Sequence, residues 1–478
     1  MNYACKTPNH HSTMKTHHFH FKTRRHNYPQ VVSANHRVMG NDYDHVMMIT
    51  SKSNVNPSVL RLHKSPSPPA DSAKERVVSA DETKYPSTGK FGRFGGKFVP
   101  ETLISCLEQL EVVFHQVLKD PEFKEELSTA LKDYVGRETP LYCAERLTAH
   151  YKAQNMGRGP DIYIKREDLA HYGAHKMNNA LAQAMIAKRM GLTAVVAATG
   201  AGQHGVATAA ACAKLGLSCT IFMSTADMEK QPSNVDLMTL LGAKVEPTAG
   251  NFKDASSESI RVWAGKLGEV YYLAGAAVGP HPCPTMVREF QSVIGRETRR
   301  QAAEKWGGTP DAVVACVGSG SNALGIFHEF VGDPTVRLIG VEAAGFGLNS
   351  GKHAATLAAG EVGVYHGAMS YLLQDEEGNI ICPHSIGVGL EYPGVAPELS
   401  FLKESGQMEF YSATDKEAVD AYIRVAKLEG IIPALEASHA FAYLEKLCPT
   451  LPDDAKIVVS CSGRGDKDAT TVSKYLGL

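Results

Sequence analysis

The sequence predicts an α/β protein with two doubly wound domains, and three observations predict it. From Gly89 onward, short apolar β-branched runs alternate with longer stretches of helical periodicity. Those short runs do not alternate polar with apolar residues, so their sheets are expected to be parallel and covered on both faces. Two of the runs pass directly into glycine-rich loops followed by helices, at residues 199–205 and 317–323. In open α/β sheets ligands sit at such strand ends.

The first series opens with a strand at 161–164 (Asp-Ile-Tyr-Ile), followed by an Ala-rich helix over 177–190 that ends before Gly191. A strand at 194–197, inside the apolar run 193–198, leads through the first glycine loop into a helix over 205–215 that stops at Gly216. A strand at 218–223, a helix over 234–241 closed by Gly242 and a strand at 244–245 complete this series. The second series has a strand at 311–315 whose apolar run reaches Val317, a helix over 324–330, and strands at 336–341 and 456–460. The expected domains are 86–290 and 291–478.

With 478 residues and 43% hydrophobic content the chain has room for sizeable cores. A net charge of −2 and a pI near 6.9 give no reason to expect nucleic acid or an anionic membrane as partner. No apolar run approaches the ~18 residues needed to span a bilayer. The ten cysteines include no C-x-x-C pair, which fits reduced thiols. Through Ala70 the only acids are Asp42 and Asp44, against nine Lys and Arg, with abundant Ser, Thr, Asn and His. Residues 1–85 are therefore read as a disordered organelle transit peptide and linker, with Ser65-Pro66-Ser67-Pro68-Pro69 as the linker. Its histidines lack a scaffold, so no metal site is expected.

Four motifs carry chemistry. Lys176 opens the Ala-rich helix, flanked by His175, Gly173-Ala174 and Asn178-Asn179. A buried lysine loses its proton more easily and attacks aldehydes, so this is the place for a Schiff base with an aldehyde cofactor. A solvated helix lysine is the competing reading, and the apolar helix weighs against it. Thr199, Gly200, Ala201, Gly202, Gln203 and His204 form a strand-to-helix loop suited to a carboxylate, and the residue before it, Ala198, cannot carry a proton. Gly318, Ser319, Gly320, Ser321 and Asn322 lie between a strand and a helix, where backbone N–H groups can wrap a phosphate; a tight packing turn is the alternative. Ser462 ends the last strand before Gly463-Arg464-Gly465-Asp466, and a hydroxyl there would leave a pyridine nitrogen unprotonated, favouring β-elimination over transamination; a solvated charged turn is the competing reading.

Lysine, phosphate loop and strand-end serine follow the order found in pyridoxal-phosphate enzymes of the β-eliminating, β-replacing type. Over about 390 residues the chain resembles the β subunits of tryptophan synthase, a fold-type II family. The resemblance rests on Gly92-Arg-Phe-Gly-Gly-Lys-Phe-Val-Pro-Glu101, Lys165-Arg-Glu-Asp-Leu169 with residues 171–180, and Gly200-Ala-Gly-Gln-His-Gly205. It extends to Gly279-Pro-His-Pro282, Val341-Glu-Ala-Ala-Gly345, residues 429–436 and residues 462–468. It implies that Lys176 holds pyridoxal 5'-phosphate as a Schiff base, and that His175 with residues 318–322 holds the phosphate. By the same token, Thr199 to His204 bind the carboxylate of the serine-derived intermediate, Ser462 faces the pyridine nitrogen and Glu436 lies beside the ring. The family reaction eliminates water from L-serine and adds indole to give L-tryptophan. Indole arrives through a tunnel from an α subunit on each protomer of a homodimer, and a mobile segment, here about 191–275, closes over the site.

This chain departs from the family in several places. The family's acid–base glutamate is Ala198, and its arginine–aspartate closure pair is Lys230 and Glu391. Ser319 replaces the middle glycine of the phosphate loop, and residues 248–254 are about two residues short. General acid–base groups are worth ~10²–10⁴-fold, so serine turnover is expected to suffer most. The favoured reading is a plastid β-like partner that binds and activates a tryptophan synthase α subunit for indole release. The alternatives are a working β subunit, and β-replacement on a serine derivative with a better leaving group than hydroxide.

Overall fold

The computed structural model describes residues 89–478, and the expected transit peptide and linker lie outside them. Three sheets organise these residues. The smallest parallel sheet has the order β7-β6-β5-β8, from β5 (Ala194–Thr199), β6 (Ser218–Ser224), β7 (Lys244–Thr248) and β8 (Val270–Tyr272). The larger sheet contains β3 (Leu141–Cys143), β4 (Asp161–Arg166), β9 (Ala312–Cys316), β10 (Arg337–Gly345), β13 (Glu409–Thr414) and β14 (Lys456–Cys461), ordered β13-β10-β9-β14-β4-β3. Its pairings are parallel except for the antiparallel edge strand β3. The third sheet is antiparallel, ordered β1-β2-β12-β11, from β1 (Lys90–Phe91), β2 (Phe94–Gly95), β11 (Glu361–Tyr365) and β12 (Ala368–Leu372).

Two expectations change. The strand at 161–164 was placed in the first series, yet β4 pairs in parallel with β14, Asp161 opposite Lys456, and belongs to the larger sheet. A continuously apolar parallel strand carries no local mark of its partner, because packing from both faces chooses it. The larger sheet thus draws strands from both sides of residue 290. The antiparallel sheet was not foreseen, since two-residue strands such as β1 and β2 lie below any periodic signal.

The elements form for local reasons. Helix Lys176–Arg189 is buried from Met177 through Ala187, and its small side chains let helix Gln203–Leu215 pack closely against it. The latter ends at Gly216 in the left-handed conformation, a frequent helix stop. Along β5, Val195 and Ala197 enter the main core with these two helices, while Val196 and Ala198 face Ala255 and Trp263 of helix Phe252–Gly265. Period-2 alternation therefore sends Ala198 toward that helix. A separate core, including Phe441 and Leu444 of helix Leu435–Leu447, covers one face of the larger sheet. Burying a Leu, Ile or Phe side chain contributes ~1.5–3 kcal/mol. Among the described residues no helix is long and apolar enough to cross a membrane.

Candidate active site

The C-terminal ends of β5, β9 and β14 converge on a cavity of about 330 Å³. Its polar end is built around Lys176. The segment before helix Lys176–Arg189 bridges to the segment after β14, Ala174 opposite Gly463, with the His175 amide donating to the Ser462 carbonyl at 3.1 Å. His175 Nδ1 also donates to that carbonyl at 3.0 Å. A carbonyl only accepts, so Nδ1 carries the proton and Nε2 accepts from the Ser321 hydroxyl at 3.2 Å. The Lys176 ammonium in turn donates to Ser321 Oγ at 2.8 Å and to the Gly275 carbonyl at 3.0 Å. Among the described residues no carboxylate is hydrogen-bonded to it.

Burial brings the Lys176 amine down to about 8. Burial, then the neighbouring Lys176 charge, brings both His175 and His204 down to about 3, so both imidazoles are neutral near pH 7. Gly275 fits against the His204 ring so closely that a Cβ would lie 2.3 Å from Cδ2.

The second glycine loop forms the cavity floor. Gly320 has φ +103°, and a Cβ there would meet Leu399 Cδ1 at 2.6 Å. The following helix is Ser321–Phe327, starting earlier than expected, so Ser321 and Asn322 belong to its first turn. The Asn322 side chain turns toward the sheet, accepting from Ser460 Oγ at 2.9 Å and donating to the Cys316 carbonyl at 3.3 Å. Its contribution to an anion here is through the backbone. Gly318 and Ser319 also line the cavity, and Ser462 does so beside Cys316, whose thiol burial pushes up to about 12.

Glu436 borders the same end. Burial alone would raise its carboxyl, but Lys467 at 3.2 Å and backbone amides, including Gly389 N–H at 2.9 Å, hold it below the usual range. Lys467 is buried too, and Glu436 and Asp468 raise it above the ordinary lysine value. This acid is therefore committed to a buried ion cluster.

The loop after β5 lines the opposite wall with Thr199, Gly200, Ala201, Gln203 and His204. Gly202 sits behind it with φ +86°, packed so that a Cβ would lie 2.5 Å from Asn234 Cβ, and Asn234 Nδ2 holds the Ala201 carbonyl at 2.7 Å. Ala198 stands in the wall just before this loop. Lys230 and Glu391 lie outside the cavity lining and pair with each other, Nζ to Oε2 at 3.6 Å. Burial raises the Glu391 carboxyl and Lys230 opposes that rise.

Several participants carried no role in the sequence reading. Gly275 and Cys316 meet the site only through folding. Beneath Lys176 lies a buried lattice in which Arg137 donates to Glu167 and Glu297 at 2.7–2.9 Å and to Asn178 Oδ1 at 2.8 Å, with Lys165 on Glu297 at 2.7 Å. The signal was the charge of Lys165 and Glu167, both fully buried, beside the apolar Ile162 and Ile164 of β4.

A half-buried lysine with a lowered pKa, glycine-loop amides at a helix start and an uncharged strand-end serine fit pyridoxal phosphate. The family model described as pyridoxal-phosphate dependent enzyme matches residues 133–463. The chain belongs to the pyridoxal-phosphate-dependent enzyme family. Its cofactor is pyridoxal 5'-phosphate. The fold is shared with solved structures at low identity. One is a fungal L-serine ammonia-lyase from Rhizomucor miehei (TM-score 0.55, 17% identity, 71% of this chain and 97% of that chain). Another is a mutant O-ureido-L-serine synthase bound to O-ureido-L-serine (TM-score 0.52, 16% identity, 70% and 91%). In this family member Lys176 would bind the aldehyde, the amides of residues 318–322 the phosphate and Ser462 the ring, while His175 and Ser321, whose protons go to the Ser462 carbonyl and to His175 Nε2, would brace that loop.

Proposed function

We propose that this chain is a β-like partner protein of tryptophan synthase type, which binds a serine-type amino acid and activates an α subunit for indole release while turning serine over weakly. The observation that carries this reading is Ala198: the wall where a proton donor is needed presents a methyl group. Glu436 is the one acid among the described residues lining the cavity, and Lys467 and Gly389 N–H already hold it.

Pyridoxal phosphate supplies the electron sink that acidifies the Cα–H of a bound amino acid. Lys176, with its amine near 8, is the base that takes that proton and returns it. The amides of residues 199–204 orient the substrate carboxylate at the start of helix Gln203–Leu215. Hydroxide is a poor leaving group unless protonated as it departs, and the one carboxyl among the described lining residues, Glu436, is already held by Lys467 and Gly389 N–H. The apolar end supports the acceptor assignment: Leu103, Phe252, Ile260 and Trp263 make a slot for a flat aromatic molecule. The Lys230–Glu391 contact supports a retained closure switch, shifted to a lysine–glutamate geometry that lacks a bidentate fork. The structural neighbours named for serine and O-ureido-serine agree with a serine-type substrate. Plastid targeting by residues 1–85 and a homodimer with an α subunit on each protomer complete the proposal.

The test mixes the holoprotein with an α subunit and indole-3-glycerol phosphate. Free indole should accumulate well beyond what the α subunit makes alone, with little tryptophan when L-serine is added. Indole at the α-only rate rejects the proposal, and efficient tryptophan formation restores the working β subunit. The missing proton donor also favours a second reading, β-replacement on a serine derivative. Turnover of O-acetyl-L-serine where L-serine is inert would support it.

A further inference from the structure

The apolar end of the cavity contains a single polar chain, and its hydrogens can be assigned. Ser257 Oγ donates to the Lys253 carbonyl one helical turn back at 3.0 Å. It therefore accepts at its 3.2 Å contact with His366 Nε2, which must carry the imidazole proton. His366 Nδ1 is then the acceptor for the Tyr392 hydroxyl at 2.8 Å. Burial, then the Lys253 charge, takes His366 down to about 4, so the ring is neutral near pH 7.

The imidazole is held firmly. His366 and Gly367 are the two central residues of the β11–β12 hairpin, with φ +46° and +85°, the pattern of a type I′ turn. The ring stacks on Tyr365 at 3.9 Å. A Cβ on Gly367 would lie 2.9 Å from Val99 Cγ1, so the hairpin tip presses against the cavity wall.

Ser257, His366 and Tyr392 all line the cavity, and each of their donor hydrogens is used within the chain. What remains are lone pairs on the Tyr392 and Ser257 oxygens. Resting on the acceptor slot proposed above, we propose that Tyr392, His366 and Ser257 form an acceptor-only recognition point, selecting a flat aromatic co-substrate that donates one hydrogen bond from a ring N–H. The recognition point belongs to the β11–β12 hairpin and helix Phe252–Gly265, and owes nothing to residue 198.

The test compares indole with benzothiophene, flat bicycles of similar shape that differ in the N–H. Isothermal titration of the holoprotein with each ligand reports binding directly, and a Trp263→Phe variant checks that the heat comes from the cavity that Trp263 lines. Ser257→Ala frees the His366 Nε2–H to point a donor at the ligand. His366→Asn, a residue that tolerates φ > 0, frees the tyrosine hydroxyl. Each should lower the preference for indole over benzothiophene by about tenfold, the worth of one hydrogen bond. If both ligands bind and neither substitution changes the ratio, the recognition point is wrong and the acceptor slot stands. If neither ligand binds the unsubstituted cavity, the acceptor slot itself is rejected.

Discussion

Two strand ends of the same cavity are built to different standards. At the ends of β9 and β14 every charged group has a partner: Glu436 with Lys467, Lys467 with Asp468, and Lys176 with Ser321 and the Gly275 carbonyl. At the end of β5 the wall offers backbone amides, Thr199 and neutral His204, and at Ala198 a methyl group. The first end holds a cofactor and handles one proton at Lys176. In the proposed reading the second end orients a carboxylate and handles none. Grip and proton delivery are therefore separable here, and the chain retains the first.

The comparison can be broken at its strong end. Lys176→Ala should remove the visible absorbance of the lysine-linked cofactor and lower any turnover by about 10²–10⁴-fold or more. In the cofactor-free protein, capture of added pyridoxal by Lys176 should rise with pH and level off above about 8, where the amine has lost its proton. A flat profile between pH 6 and 9 would contradict the depressed amine.

It can be sharpened at the weak end. Ala198→Glu should raise tryptophan formation from serine and indole by about 10²–10⁴-fold, measured with and without an α subunit. An unchanged rate would mean that the carboxylate is not what the site lacks.

The lattice beneath the strong end comes next. Arg137→Ala leaves Glu167 buried without its ion-pair partner and Glu297 with Lys165 alone, and breaking such a buried pair costs ~3–5 kcal/mol, readable as a lower denaturant midpoint. Despite the burial, the Arg137 charge and hydrogen bonds draw the Glu167 carboxyl from 4.5 to about 2. Its folded value is the lower one, so its stabilisation is complete above pH 4.5 and is lost as pH falls toward 2. The Arg137 variant should lose that acid-side slope. The smallest stability effect belongs to Lys230→Met, at ~0.2–1 kcal/mol for a half-exposed pair. Its loss should show in α-subunit activation rather than in melting.

Much of this site was legible because its demands are local. Gly320 and Gly202 adopt backbone angles that favour glycine, and Lys176 announces itself as the charged first residue of an otherwise buried helix. Ser462 was legible as the last residue before a turn. What stayed hidden depends on encounters between distant segments. Gly275 touches His204 only because β8 lies beside β5. The Arg137 lattice joins residues up to 160 positions apart. His366 reads as an ordinary hairpin residue until Tyr392 and Ser257 are brought to it. Asn322 reads as one more polar residue of the phosphate loop, and only the fold shows that Ser460 and Cys316 claim its side chain.

The position of β14 has a consequence in time. This strand comes last in sequence order among the described residues, yet it lies at the centre of the larger sheet, between β9 and β4. Its contact with Asp161 spans 295 positions of chain. Until residue 461 has left the exit tunnel, β4 and β9 have an open slot between them, and His175 lacks the Ser462 carbonyl that sets its tautomer. Earlier segments can collapse, but the grip on the cofactor closes only after β14 and Ser462 have emerged. Nascent chains stalled before Lys456 should fail to retain pyridoxal phosphate, and a short C-terminal truncation should disable the site more thoroughly than its distance from Lys176 in sequence suggests.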